Sequence, residues 1–118
     1  MPSKTVESEP SQPLTPAMFH VLLALAGDDL HGYAILKEVA LRTAGEVQLS
    51  TGTLYGIIKR LLSDGLIREL ALTAKDDERR RSYELTAFGR DVARAEAARL
   101  EHTLAIARRK ALFKHVAR

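Results

Sequence analysis

Between Pro16 and Ala26 the chain is apolar on almost every side: Met18, Phe19, Val21, Leu22, Leu23 and Leu25 leave His20 as the polar interruption. Thr15-Pro16 is a helix start, with the hydroxyl as N-cap and proline in the first turn, where no N–H is needed. The predicted helix stops at Gly27-Asp28-Asp29. A helix this apolar must be covered on most sides, by its own core or partly by a second subunit. A second predicted helix runs from about Gly32 to Leu41, with Tyr33, Ile35, Leu36, Val39 and Ala40 as its apolar positions, until Gly45 breaks the pattern.

The third periodic stretch has two unlike faces. Leu54, Ile57, Ile58, Leu61 and Leu62 recur at i, i+3, i+4, i+7 and i+8 and form a core-facing stripe. The other side and the leading turn carry Thr51, Gly52, Thr53, Tyr55, Gly56, Lys59 and Ser63, with no carboxylate until Asp64. Such a surface can approach a polyanion closely and donate hydrogen bonds to it. Ser50 or Thr51 caps the start, and Gly65 suits a left-handed C-cap.

The period then changes to two. Leu66, Arg68, Leu70 and Leu72 alternate with Ile67, Glu69, Ala71 and Thr73, and Tyr83 and Leu85 share a face in the run Arg81–Leu85. With the charged Ala74–Arg80 segment between them, these runs predict a β-hairpin with a long tip. Thr86 caps a last helix, predicted from Ala87 to about Lys114, rich in alanine and free of proline. At about 1.5 Å per residue it would extend roughly 42 Å, beyond the ~25–30 Å width expected of the preceding domain. Along it Ala93, Ala97, Leu100, Leu104, Ala107 and Ala111 follow at spacings of 4, 3, 4, 3 and 4, a heptad seam. Its partner is either the chain's own first helix or the same helix of a second copy; the excess length and the all-apolar first helix favour the second copy.

The predicted fold class is therefore mainly α with a small β-hairpin: a winged helix-turn-helix plus a long C-terminal dimerisation helix. The expected organisation is a disordered tail over residues 1–13, rich in Pro, Ser and Glu, a DNA-binding domain over 14–86, and the dimerisation helix over 87–118. Composition narrows the picture further. The chain of 118 residues has no cysteine, which removes disulfides and thiolate metal sites and fits a reducing cytoplasm. No apolar run approaches the roughly 20 residues of a membrane span, so no membrane partner is expected. The net charge of +3 permits nucleic-acid binding without demanding it. The cations Arg108, Arg109, Lys110, Lys114 and Arg118 near the end suit either a solvated helix terminus or phosphate contacts.

In a winged helix-turn-helix the third helix enters the major groove, N-terminal residues foremost. Thr53 and Tyr55 are thus candidate contacts to phosphate or a base edge, and Lys59 to phosphate or guanine. The alternatives are a Tyr55 ring lying on the second helix and a merely solvated Lys59. The wing tip offers Lys75, Arg79 and Arg80 to phosphate or the minor groove, unless Asp76, Asp77 and Glu78 pair with them internally. Catalytic and cofactor constellations are absent from the sequence: His20, His31, His102 and His115 are isolated, and no nucleophile-elbow, Walker-type or dinucleotide fingerprint occurs. An enzyme, a metal site and a cofactor are therefore not expected. The competing expectation is a winged-helix adaptor that binds protein and not DNA.

Three blocks resemble the PadR-like family of transcriptional regulators: HGYAILKEV at His31–Val39, GTLYGIIKRLLSDGLI at Gly52–Ile67 and RRRSYELTAFGR at Arg79–Arg90. Together they lie between Thr15 and Arg90. The resemblance implies a homodimeric repressor on an operator of dyad symmetry, often controlled by a small, commonly aromatic ligand. Carried over residue by residue, it places Thr51, Thr53, Tyr55, Lys59, Arg79 and Arg80 at the DNA. Gly56 stands where many members have proline, and the single C-terminal helix matches a short subfamily. The chain lacks the tryptophan that lines a drug pocket in some short members. A pocket here would use Phe19, Leu100 and Leu104 at the dimer centre.

Overall fold

A computed structural model describes residues 13–70 and 81–113. The elements in chain order are α1 (Pro16–Gly27), β1 (Leu30–His31), α2 (Gly32–Arg42), α3 (Thr51–Ser63), β2 (Ile67–Glu69), β3 (Ser82–Leu85) and α4 (Ala87–Arg109). The strands form one antiparallel sheet in the order β1-β3-β2. The predicted two-stranded hairpin thus gains a third strand, in which Leu30 pairs with Tyr83 and His31 with Ser82. Residues 1–12 of the expected 1–13 tail and the wing tip with Lys75, Arg79 and Arg80 lie outside the described residues.

Each helix start is fixed by a side chain. Thr15 accepts from the Met18 amide, His31 Nδ1 from Ala34, Ser50 from Thr53 and Thr86 from Gly89. A hydroxyl cap of this kind is worth about 1 kcal/mol. Three helix ends share another device. After α3 the Leu66 amide donates to the Leu61 carbonyl at 2.9 Å and the Gly65 amide to Leu62 at 3.1 Å, with Gly65 at φ +76°. After α2 the Gly45 amide bonds Ala40 at 2.8 Å and the Ala44 amide bonds Leu41 at 3.2 Å; after α4 the Leu112 amide bonds Ala107 at 3.3 Å and the Ala111 amide bonds Arg108 at 3.0 Å. These are Schellman closures, each turning the chain through the left-handed region. After α4 the left-handed residue is an alanine, Ala111 at φ +66°, and after α2 two residues are left-handed in succession, Ala44 at φ +53° and Gly45 at φ +82°. The last helix therefore ends at Arg109, short of the predicted Lys114, and its 23 residues extend about 35 Å.

The core joins α1 (Met18, Val21, Leu22, Ala24, Leu25) to Ile35 and Val39 of α2, Leu54, Ile58 and Leu61 of α3, and Leu66, Ile67, Tyr83, Val92 and Ala93. Among the described residues no charged or polar side chain is buried with it. The apolar stripe expected of α3 is the one that packs inward. The strand after it differs from the expectation. Ile67, opposite Leu85, faces the core, whereas Arg68, opposite Glu84, is exposed. Leu66 is fully buried, but as the apolar residue that follows the Gly65 closure rather than as a strand residue. The sheet face is thus shifted by one residue from the simple alternation.

Candidate nucleic-acid interface

Ser50 sets the first turn of α3. Its hydroxyl accepts from the Thr53 amide at 3.0 Å and donates to Thr53 Oγ1 at 2.9 Å. Thr53 keeps its own hydroxyl proton for an outside acceptor. Thr51, Gly52, Thr53, Tyr55, Gly56 and Lys59 are all exposed. A Cβ at Gly52 or Gly56 would meet nothing within 4 Å, so both lie bare on the outer face. Gly52, Tyr55, Gly56 and Lys59 fall at i, i+3, i+4 and i+7 and make one stripe opposite the buried Leu54, Ile58 and Leu61. The leading turn adds the positive end of the helix dipole. Arg60, at the edge of the stripe, is turned inward, with Nε on Asp64 at 3.2 Å and Nη1 on Met18 Sδ at 3.7 Å.

Tyr55 is placed by a glycine on another element. A Cβ at Gly32 would lie 2.3 Å from the Tyr55 hydroxyl. The ring therefore lies over the start of α2, the alternative weighed for it above, while 43% of the residue stays exposed. Next to it is Tyr83, whose pKa is raised above the usual phenol value chiefly by burial, then by the negative charge of Glu69 and by Tyr55, against a lowering by Arg81. Neither His31 nor Gly32, Glu69, Arg81 and Tyr83 was predicted at this site. Their meeting depends on the β1–β3 and β2–β3 registers, and periodicity along one segment carries no sign of register.

The run Thr86–Gly89 ties the start of α4 to the turn that follows α3. The Thr86 hydroxyl donates to the Gly65 carbonyl at 2.7 Å, and its amide donates to Leu66 at 3.1 Å. A Cβ at Gly89 would come within 1.9 Å of the Leu66 carbonyl oxygen, so α4 can touch that strand start only through glycine. Two ion pairs cross the wing strands: Arg68 with Glu84 on one face, and Arg81 with Glu69 at 3.2 Å on the other.

The residues predicted to pair two copies separate into three groups. Ala93 is buried within the chain, where α1 packs on the first turns of α4, and Phe19 is half-buried against the same core. Ala111 lies past the helix end in the left-handed turn, outside the heptad register. Ala97, Leu100, Leu104 and Ala107 stay on α4, with Leu100 and Leu104 each 41% exposed, and no residue from 97 to 109 is buried.

Comparison with known proteins agrees with this geometry. The chain superimposes with a TM-score of 0.69 on a PadR family transcription regulator from Clostridium difficile R20291, at 25% identity over 80% of this chain and 97% of that one. It superimposes with a TM-score of 0.63 on Bacillus subtilis PadR in complex with operator DNA, at 19% identity over 73% of this chain and 48% of that one, a likeness of fold. A 37.1 kDa protein of transposon TN4556 from Streptomyces fradiae is 38% identical over 81 residues, 69% of this chain and 22% of that protein's length. The chain thus spans about a fifth of that relative. No described helix is long and apolar enough to cross a membrane. The model of the transcriptional regulator PadR-like family matches residues 21–95, and the chain belongs to that family.

Proposed function

We propose that this chain binds double-stranded DNA sequence-specifically and represses transcription as a two-fold homodimer in the cytoplasm. The observation that carries the reading is the outer face of α3, where hydroxyls, an aromatic and a lysine stand exposed beside two bare glycines and no carboxylate. In this reading Thr51, Thr53 and Tyr55 meet phosphate or base edges and Lys59 meets phosphate or guanine. Lys75, Arg79 and Arg80, which fall between the wing strands in sequence, add phosphate or minor-groove contacts. That a relative of the same fold was crystallised on operator DNA supports this use of the scaffold. Pairing is supported by the uncovered α4 stripe of Ala97, Leu100, Leu104 and Ala107 and by Leu23 of α1, which is 45% exposed. Two copies of α3 would enter grooves about 34 Å apart, on a roughly palindromic operator. A small aromatic effector would enter between the paired α4 helices, beside Phe19, Leu100 and Leu104.

The test is binding to the DNA upstream of its own gene, followed by fluorescence anisotropy from about 50 to about 200 mM salt. Lys59→Ala should lower the magnitude of the log–log salt slope by about 0.9 per subunit. An unchanged slope removes Lys59 from the phosphate contacts. Failure to bind the upstream DNA more tightly than a scrambled duplex removes sequence-specific recognition.

A further inference from the structure

We propose that Glu69 and Arg81 form an electrostatic latch beside α3, in which a DNA phosphate takes the Arg81 guanidinium away from the Glu69 carboxylate. The proposal rests on the DNA-binding reading above and deepens it by naming a contact and its control. In the antiparallel ladder Glu69 stands opposite Tyr83, so the two share a face. Arg81 is two residues before Tyr83 and falls on that face too. The pair therefore bridges the strands diagonally, Nε to Oε2 at 3.2 Å, with side chains 47% and 35% exposed.

Two observations put this pair next to the third helix. The Tyr83 phenol lies within electrostatic reach of Glu69, Arg81 and Tyr55 together. Tyr55 in turn lies on Gly32, which follows directly from the strand that pairs with Tyr83. The engaged cation and its carboxylate thus share Tyr83 as a neighbour with Tyr55 of α3, and both remain partly exposed. By contrast Arg68 and Glu84 are directly opposite each other on the other sheet face.

A half-exposed ion pair is weak and exchanges partners readily. A guanidinium grips phosphate in a bidentate fork, and the duplex releases a counterion when it does. Without DNA, Glu69 masks Arg81 and lowers non-specific attraction. In a complex too loose for Arg81 to reach phosphate, the carboxylate repels the backbone. Close docking alone releases the latch, so Glu69 sharpens the difference between correct and incorrect sites.

The experiment is a double-mutant cycle on the upstream DNA and a scrambled duplex of equal length, with Kd measured against salt. Arg81→Ala should weaken binding several-fold and lower the slope magnitude by about 0.9 per subunit, while Arg81→Lys retains the slope. Glu69→Gln should tighten binding about two- to fivefold, more on the scrambled duplex than on the upstream DNA. In the Arg81→Ala background that gain should shrink, since no arginine remains to be freed. Equal gains from Glu69→Gln in both backgrounds would overturn the latch, as would an Arg81→Ala protein with unchanged Kd and slope. Arg68→Ala, on the opposite face, should leave the slope unchanged. A wild-type chain that binds neither duplex overturns the DNA-binding reading and the latch with it; binding with uncoupled Glu69 and Arg81 overturns the latch alone.

Discussion

Gly89 and Gly32 both lie where a side chain would collide, but the colliding atoms differ. At Gly89 the obstacle is the Leu66 carbonyl oxygen, backbone held by the Gly65 closure and by the Thr86 amide. Neither side can yield without moving α4 off the sheet. At Gly32 the obstacle is the tip of the Tyr55 side chain, which can rotate away toward solvent. Gly89→Ala should therefore destabilise the fold by about 3 kcal/mol, the upper end of overpacking costs. Gly32→Ala should cost about 1 kcal/mol or less, yet lower DNA affinity by displacing the phenol. Chemical denaturation measures the first pair of values and anisotropy the second. Similar stabilities for the two variants would show that the Leu66 strand start moves as easily as a tyrosine ring.

At the scale of elements, the helix starts were readable because Thr15, Ser50 and Thr86 are cap residues standing immediately before an apolar period. The end of α3 was readable because Gly65 advertises a left-handed turn. The end of α2 was readable too, since Gly45, left-handed at φ +82°, breaks the apolar pattern just past it, whereas the end of α4 was not, because Ala111 takes the left-handed conformation where no glycine stands. Strand β1, with two residues, is too short to show alternation, and its partner Tyr83 lies 53 positions further on. The exposed hydroxyls and lysine of α3 followed from its amphipathic period alone. The Glu69–Arg81 pair did not, since a diagonal contact exists only once the strand register is known. The strained alanine gives a direct test. An L-residue in the left-handed region costs roughly 1–2 kcal/mol, whereas glycine gives back about 0.5–1 kcal/mol through unfolded-chain entropy. Ala44→Gly should therefore stabilise by up to about 1 kcal/mol, and Gly65→Ala should destabilise by a similar amount. Urea midpoints moving in the same direction for both variants would contradict the shared closure.

For the whole molecule, the decisive feature is the unequal cover along α4. Its first turns supply Val92 and Ala93 to the core beside α1, while the stretch from 97 to 109 buries nothing within the chain yet presents Leu100, Leu104 and Ile106 to solvent. An isolated helix end of this length would be marginal in water without an apolar face to pack. Burial by a second copy would offset that cost and fix the distance between the two α3 helices. Leu100→Glu combined with Leu104→Glu should then yield a monomer by sedimentation at micromolar concentration. The domain core should survive, because neither leucine belongs to it. The linkage has a consequence for binding. In a pair of copies, one docked α3 would hold the other at its half-site at high effective concentration, so pairing should raise affinity for a two-site operator by about 10²- to 10⁴-fold without any new contact. The double variant should lose that factor on the full operator and keep wild-type affinity for a single half-site. A parallel loss on both DNAs would place Leu100 and Leu104 in the folding of the subunit, and a wild-type chain that sediments as a monomer would leave the two α3 helices with nothing to space them.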